Sequence, residues 1–437
     1  MRDPLKSALD KLDGLSAVEV RGRVNGLVGL AIRATVDGAR VGDQMRIHRT
    51  GLDPLMAEVV GFSNGEVVML PLGDTQGIGP DSLVEATGQA ATIACSDAML
   101  GRVLNGLGEP IDDLEPLDAA EMTRWPLFRP APDPLKRPRI EQSISTGLRV
   151  IDGLATLGQG QRLGLFAGSG VGKSTLLGQL AQNADVDICV VCLVGERGRE
   201  LREFVESSLA DGLNRSVVVC ATSDAPPLVR LRSATVATAI AEYFREQGKR
   251  VLILMDSITR YARALREVAL AAGEPPARRG YPASVFTKLP KLLERAGNSE
   301  KGSMTAVYAV LVEGEDMDEP IADEIRGILD GHVVLSRKLA HRNHWPAVDV
   351  LASLSRLMTS ITDDAHQRAA ANLRKHLAVY EDNRDLIALG AYKRGSDIQV
   401  DAALNAIDKI QTFLKQGSEE VQPLQQTRLE LLSLLDD

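Results

Sequence analysis

The sequence predicts an α/β protein. A parallel sheet with helices on both faces follows a small N-terminal β-barrel and precedes a helical C-terminal domain. Three observations lead there. First, five short runs, nearly all apolar and rich in β-branched residues, fall between about Ile140 and Ser360: RLGLFAG, DICVVCLVG, SVVVCAT, RVLILMDS and TAVYAVLVEG. Strands buried on both faces have this texture, and their alternation with helical patterns such as SATVATAIAEYFREQGK implies parallel βαβ connections. Second, VEVRGRVNGLVGLAIRATV and EVVMLPLG, between Val18 and about Ile93, set β-formers between Gly, Asp and Asn turns, as a small barrel does. Third, the chain turns charged and helical after about Ile361, from AHQRAAANLRKHLAVYEDNRDL to TRLELLSLLDD.

The expected organisation is therefore a barrel at 18–93, a nucleotide domain at 94–360 and a helical domain at 361–437. At 1–17, Leu5, Leu9 and Leu12 recur at helical spacing between charges, and both a partner-docking helix and a frayed terminus fit. Between barrel and sheet, RWPLFRPAPDPLKRPRI is too proline-rich for regular ladders and reads as a surface crossover.

Composition narrows the function. A chain of 437 residues exceeds one compact core. Its net charge of −9 opposes a general nucleic-acid binder, which needs a cationic surface. Phe62 is the only aromatic of the barrel region, whereas an oligonucleotide-binding barrel wants stacking rings. No apolar stretch is long enough for a membrane span, and MRDPLKSALDKLDGL lacks the apolar core of a signal peptide, so the expected compartment is the cytoplasm. Cys189 and Cys192 form a lone C-x-x-C inside a buried-strand pattern that sends the two thiols to opposite faces, so they read as core residues. His341 and His344 read as surface residues.

The chemistry begins at LGLFAGSGVGKSTLLGQL. It fits the [A/G]-x-x-x-x-G-K-[S/T] phosphate-binding loop, with Ala167 at the first position and the strand-before, helix-after context the motif demands. Gly168, Gly170 and Gly172 let backbone N–H groups approach phosphate, and the loop Gly168, Ser169, Gly170, Val171, Gly172, Lys173, Ser174, Thr175 opens a helix whose positive end adds to the cradle. Lys173 is the candidate for the β- and γ-phosphates of ATP, and Ser174 for Mg²⁺. Asp256 ends the apolar run RVLILMD and is the second candidate for the metal's coordination shell. Glu196 ends another buried run at the same predicted sheet edge, where it is a candidate base for the attacking water. The alternating charges of ERGRELRE also suit a solvated helix start. Arg197 is a candidate γ-phosphate ligand.

At this point the chain resembles a known family. TGLRVIDGLATLGQGQRLGLFAGSGVGKSTL, GERGRE, LMDSITRYARALREVALAAGEPPARRGYPASVF and LDGHVVLSRKLA are together similar to the rotary-ATPase group, which includes ATP synthase catalytic subunits and type III secretion ATPases. The resemblance covers nearly the whole chain, with a RecA-like P-loop core between barrel and helical domain. It implies that Glu196 is the catalytic base and Arg197 its neighbouring arginine. It further implies a homohexamer whose nucleotides lie between subunits, with Arg356 of LASLSR as the candidate arginine finger; Arg337 of VVLSRKLA is the rival and reads as structural. Trp345 falls where a tyrosine commonly stacks on adenine.

The AGSGVGKS form of the loop looks like the secretion branch. The MDEP and SRKLA pieces look more like the injectisome set than the flagellar one. The implied partners are stalk and regulator proteins, export-gate membrane proteins and chaperone–cargo complexes, at the cytoplasmic face of the inner membrane. The alternatives are a flagellar export ATPase, an ATP synthase catalytic-type subunit, and an RNA-translocating RecA-like hexamer.

Overall fold

The computed structural model describes residues 20–434, apart from 89, 119 and 121. The expected docking helix at 1–17 lies outside the described residues. Six antiparallel strands (Arg21–Val28, Ala31–Val36, Gln44–Arg49, Leu52–Ser63, Glu66–Pro71 and Leu83–Ala86) close into a barrel in which the second strand is followed by the fifth, fourth, third and sixth. Closure leaves no exposed edge. Val24, Ile32, Met45, Ile47, Val59, Met69 and Val84 fill the interior. Phe62 is 54% exposed, so the barrel core is wholly non-aromatic.

The central nine-stranded sheet runs Val348–Ser355, Gly331–Leu335, Arg162–Ala167, Ser303–Leu311, Arg250–Asp256, Ile188–Glu196, Ser216–Thr222, Val103–Asn105, with Gly297–Asn298 paired beside Ser303–Leu311. All neighbours along the path are parallel except the first pair. Every residue of Ile188–Glu196 is buried. Its alternate residues serve two cores: Val190, Cys192 and Val194 on one face, Cys189, Val191 and Leu193 on the other. The two cysteines thus lie on opposite faces, as strand periodicity requires.

Two local expectations change. The start of the proline-rich segment forms a strand, Thr123–Pro126, paired with Thr92–Cys95. Pro126 is tolerated because its nitrogen faces away from the partner strand; it is the next residue, Leu127, that donates across, to the Ala91 carbonyl at 3.0 Å. His344 is buried, against the expectation of a surface residue.

The C-terminal helices are Asp364–Ala388, Ile398–Leu414 and Leu424–Ser433. They are tied to the nucleotide domain through Arg149, whose guanidinium donates to the Phe413 carbonyl at 3.0 Å and to Gln422 Oε1 at 3.1 Å, and also engages Glu420 and the Lys415 carbonyl. The connector after the second of these helices touches the P-loop helix too, where Gln179 donates to the Ser418 carbonyl at 3.0 Å.

Candidate active site

Parallel strands bring Ala167, Glu196 and Asp256 to one carboxyl-terminal edge, the usual place for a ligand in such sheets. The loop after Ala167 needs its glycines: Gly170 (φ 76°) and Gly172 (φ 86°) occupy the left-handed region. Val171 turns into the core, while Ser169, Gly170, Ser174 and Thr175 stay exposed and line a cavity of about 810 Å³. The helix Lys173–Asn183 begins directly at the lysine, so its amino end faces this cavity.

Lys173, Glu196 and Asp256 come together there. Lys173 Nζ engages the Asp256 carboxylate and stands 3.7 Å from Glu196 Oε1. Glu196 is aimed by a bulge: Gly195 has φ 68°, and the register against Ser216–Thr222 slips between Val194 and Glu196. Glu196 is 5% exposed, and its Oε1 has no hydrogen-bond partner among the described residues. Burial and, after it, the negative charge of Asp256 push the Glu196 carboxyl up to about 7, against the opposing pull of Lys173. A carboxylate titrating there exchanges protons readily near neutrality.

The cation that touches Glu196 is not the one adjacent in sequence. Arg197 is 79% exposed in its side chain and lies 3.8 Å from Glu200 at the cavity mouth. Arg260 instead places Nη1 3.0 Å from Glu196 Oε2 and also donates to the Gly195 carbonyl. Its helix, Ile258–Ala271, starts two residues after Asp256, and the Ser257 hydroxyl caps it by accepting from Arg260 N at 3.3 Å. Arg263, one helical turn on, lines the same cavity and pairs with Glu313 at 2.6 Å. The signal in the sequence was the i, i+3 arginine pair of SITRYAR directly after the strand-ending aspartate.

Trp345 packs against the loop from outside the cavity. A Cβ on Gly172 would stand 2.9 Å from its ring, while 39% of the residue remains exposed. Its indole donates to Asn343 Oδ1 at 2.9 Å, which fixes the ring plane. Arg337 flanks the phosphate loop of its own chain, 3.1 Å from where a Gly168 Cβ would lie, and lines the cavity. Arg356 is not brought in. It follows Ser355, which pairs with Gly331 at the amino-terminal edge of the parallel strands, and its guanidinium donates to the Arg326 carbonyl at 3.3 Å.

The known proteins similar to this chain agree in kind. Residues 147–355 match the ATP synthase alpha/beta family nucleotide-binding domain, and residues 362–433 match the type III secretion EscN ATPase C-terminal domain. The type 3 secretion system ATPase of Xanthomonas euvesicatoria is 49% identical over 95% of this chain and 94% of its own. The chain belongs to the family of flagellar and type III secretion ATPases. The flagellum-specific ATP synthase of Bacillus subtilis (strain 168) is 45% identical over 98% of both chains. The assembled ATPase EscN of enteropathogenic E. coli superposes with a TM-score of 0.90 at 43% identity, covering 95% of this chain and all of that one. The protein is thus an ATPase with a nucleotide substrate. Among the described residues, no helix is long and apolar enough to cross a membrane.

Proposed function

We propose that this ATPase forms a homohexameric ring that drives chaperone release, unfolding and export of proteins through a type III secretion apparatus. The observation that carries this reading is the division of charged parts between two edges of one sheet. Lys173, Glu196 and Asp256 share the carboxyl edge, whereas Arg356 stands at the amino edge and lines no part of its own cavity. An arginine so placed serves the site of a neighbouring copy.

In this reading the loop from Gly168 to Thr175 holds the phosphates of ATP through backbone N–H groups, and Lys173 leaves Asp256 for the β- and γ-phosphates. A Mg²⁺ ion fits the donors present. Ser174 offers a hydroxyl and Asp256 a carboxylate, and among the described residues no cluster of three or more His, Cys, Asp or Glu side chains could hold a metal. That sparse set suits an ion that keeps waters and takes phosphate oxygens. When bound, Mg²⁺ supplies charge neutralisation on the phosphates. Glu196 accepts a proton from the attacking water as its oxygen bonds to the γ-phosphorus. The bond to the β-phosphate oxygen breaks, and ADP departs with the electron pair. Arg260 holds Glu196 in its ionised, oriented form. Arg197, at the mouth, and Arg356 of the neighbour offset the charge of the transferring group. Trp345 stacks on the adenine through its exposed face.

The EscN structure solved in complex with its central stalk EscO supports a stalk partner for this ring. Export-gate membrane proteins and chaperone–cargo complexes at the cytoplasmic face of the inner membrane complete the reading. The MDEP and SRKLA pieces favour an injectisome, although flagellar and injectisome relatives match with similar identity. Complementation of strains lacking one or the other ATPase separates the two: restored motility without restored effector secretion would assign the flagellum.

Mixed rings test the shared site. Rings of Arg356→Ala copies and rings of Lys173→Ala copies should each be inactive, and mixing them should restore turnover at intact interfaces. Failure of mixing to restore any hydrolysis, with ring assembly intact, would refute a site shared between copies.

A further inference from the structure

A second cavity, of about 450 Å³, lies in the seam between the barrel and the nucleotide domain. Its wall is largely apolar: Val60 comes from the barrel, Leu231 from the helix Pro227–Glu246, Leu265 from Ile258–Ala271, and Phe128 from the proline-rich segment. Set into this wall is Arg232, only 3% exposed. One end of its guanidinium engages Glu58 of the barrel and its Cζ stands 5.3 Å over the Phe128 ring, yet Nη1 is buried without a hydrogen-bond partner among the described residues. Arg129 repeats the pattern. It stacks 4.6 Å over Trp125, and its Nη1 is likewise buried with no hydrogen-bond partner among the described residues.

The other charges do not satisfy these nitrogens. Arg295 is occupied by Glu242 at 2.7 and 2.8 Å, and Glu274 accepts from Ser284 N at 2.9 Å. Lys288 and Lys291 add exposed positive charge to the lining. An unpartnered guanidinium nitrogen inside an apolar wall is costly, and an acceptor brought by a ligand removes that cost. The volume and the few convergent polar groups are those of a small-molecule site.

We propose that this seam binds a small organic anion with an apolar body, such as an aryl or alkyl carboxylate, sulfonate or phosphate. The anionic end meets Arg232 and Arg129, and the body lies against Val60, Leu231 and Leu265. The site also has a route to turnover. The helix that offers Leu265 to the seam offers Arg260 to Glu196, and the helix that offers Arg232 offers Arg230 to the phosphate cavity. An occupant that shifts either helix therefore moves an arginine at the phosphate cavity.

The test uses the full chain with saturating Mg-ADP, so that the phosphate cavity is filled. Fluorescence titration with 1-anilinonaphthalene-8-sulfonate should give one saturable site per chain, at least about tenfold tighter than the uncharged N-phenyl-1-naphthylamine. Arg129→Gln, which leaves the Arg232–Glu58 pair in place, should weaken the sulfonate about tenfold and leave the neutral dye unchanged. Ala269→Leu, which fills the cavity, should weaken both. The exposed pair Lys288→Gln with Lys291→Gln guards against misfolding and should weaken the sulfonate alone. Without ADP, saturating sulfonate should change kcat for ATP in the parent chain and not in Ala269→Leu. Equal affinity for the two dyes, or sulfonate binding untouched by every variant, would overturn the proposal.

Discussion

Replacing Arg260 by glutamine asks whether the contact with Glu196 keeps the base ionised. The guanidinium stands 3.0 Å from the carboxylate, and the side chains are 27% and 6% exposed, so solvent screens the pair only in part. An opposite charge this close holds a carboxyl down by about one to three pH units, and we take about one, since Arg260 acts on Glu196 less than burial, Asp256 and Lys173 do. Glu196 already titrates near 7 because of burial and Asp256. Losing Arg260 moves it up again. At pH 7 the ionised fraction then falls from about a half to about a tenth, a loss of roughly 5-fold in kcat. The sign follows from the role: a base works deprotonated, so the acid limb of the pH–rate profile shifts upward and activity recovers at high pH. The assay is steady-state ATP hydrolysis by assembled rings from pH 5.5 to 9.5, with Arg260→Lys alongside, which keeps a charge and should shift the limb less. An acid limb that stays in place while kcat falls uniformly would show that Arg260 does not act through Glu196.

Glu196→Gln should abolish turnover while nucleotide binding, read by fluorescent ATP analogues, persists. The same change alters stability. Because the folded carboxyl titrates above its unfolded value, its contribution is fullest below the unfolded value near 4.5 and is lost as pH rises towards 7. Thermal melts should therefore place the glutamine variant about 5 °C above the parent at pH 8 and level with it at pH 4. Trp345→Ala should raise KM for ATP about tenfold with little change in kcat, whereas Trp345→Tyr should behave as the parent; an unchanged KM in the alanine variant would remove the adenine contact. Arg149→Met should lower stability by about 3 kcal/mol in urea unfolding, since buried acceptors on the C-terminal connector lose their donor. A cost near zero would mean that the helical domain is held chiefly by its apolar contacts.

Much of the molecule was legible without coordinates, because the relevant signals are local. The glycine loop between a strand and a helix marks the candidate phosphate site, since that backbone offers N–H groups at close approach. Strands buried on two faces announce themselves as unbroken apolar runs, which also sent Cys189 and Cys192 to opposite cores. The barrel followed from turn spacing, and Asp256 from its place at the end of such a run. What sequence order could not supply is which side chains meet. Sequence order offered Arg197 as a γ-phosphate ligand but named no cation for Glu196; the chain turns into a solvated helix at Arg197, whose side chain lies at the cavity mouth. Arg260 arrives from another strand–helix turn because parallel strands end side by side, and the bulge at Gly195 turns the carboxylate towards it. The pairing of Arg232 with Glu58, and the seam cavity beside it, likewise join segments far apart in the chain. The sequence by itself determined the kind of chemistry, because that depends on residue type within a local backbone motif. Only the tertiary structure decided which charges are paired, buried or left without a partner, because those depend on distances between elements that no local pattern encodes.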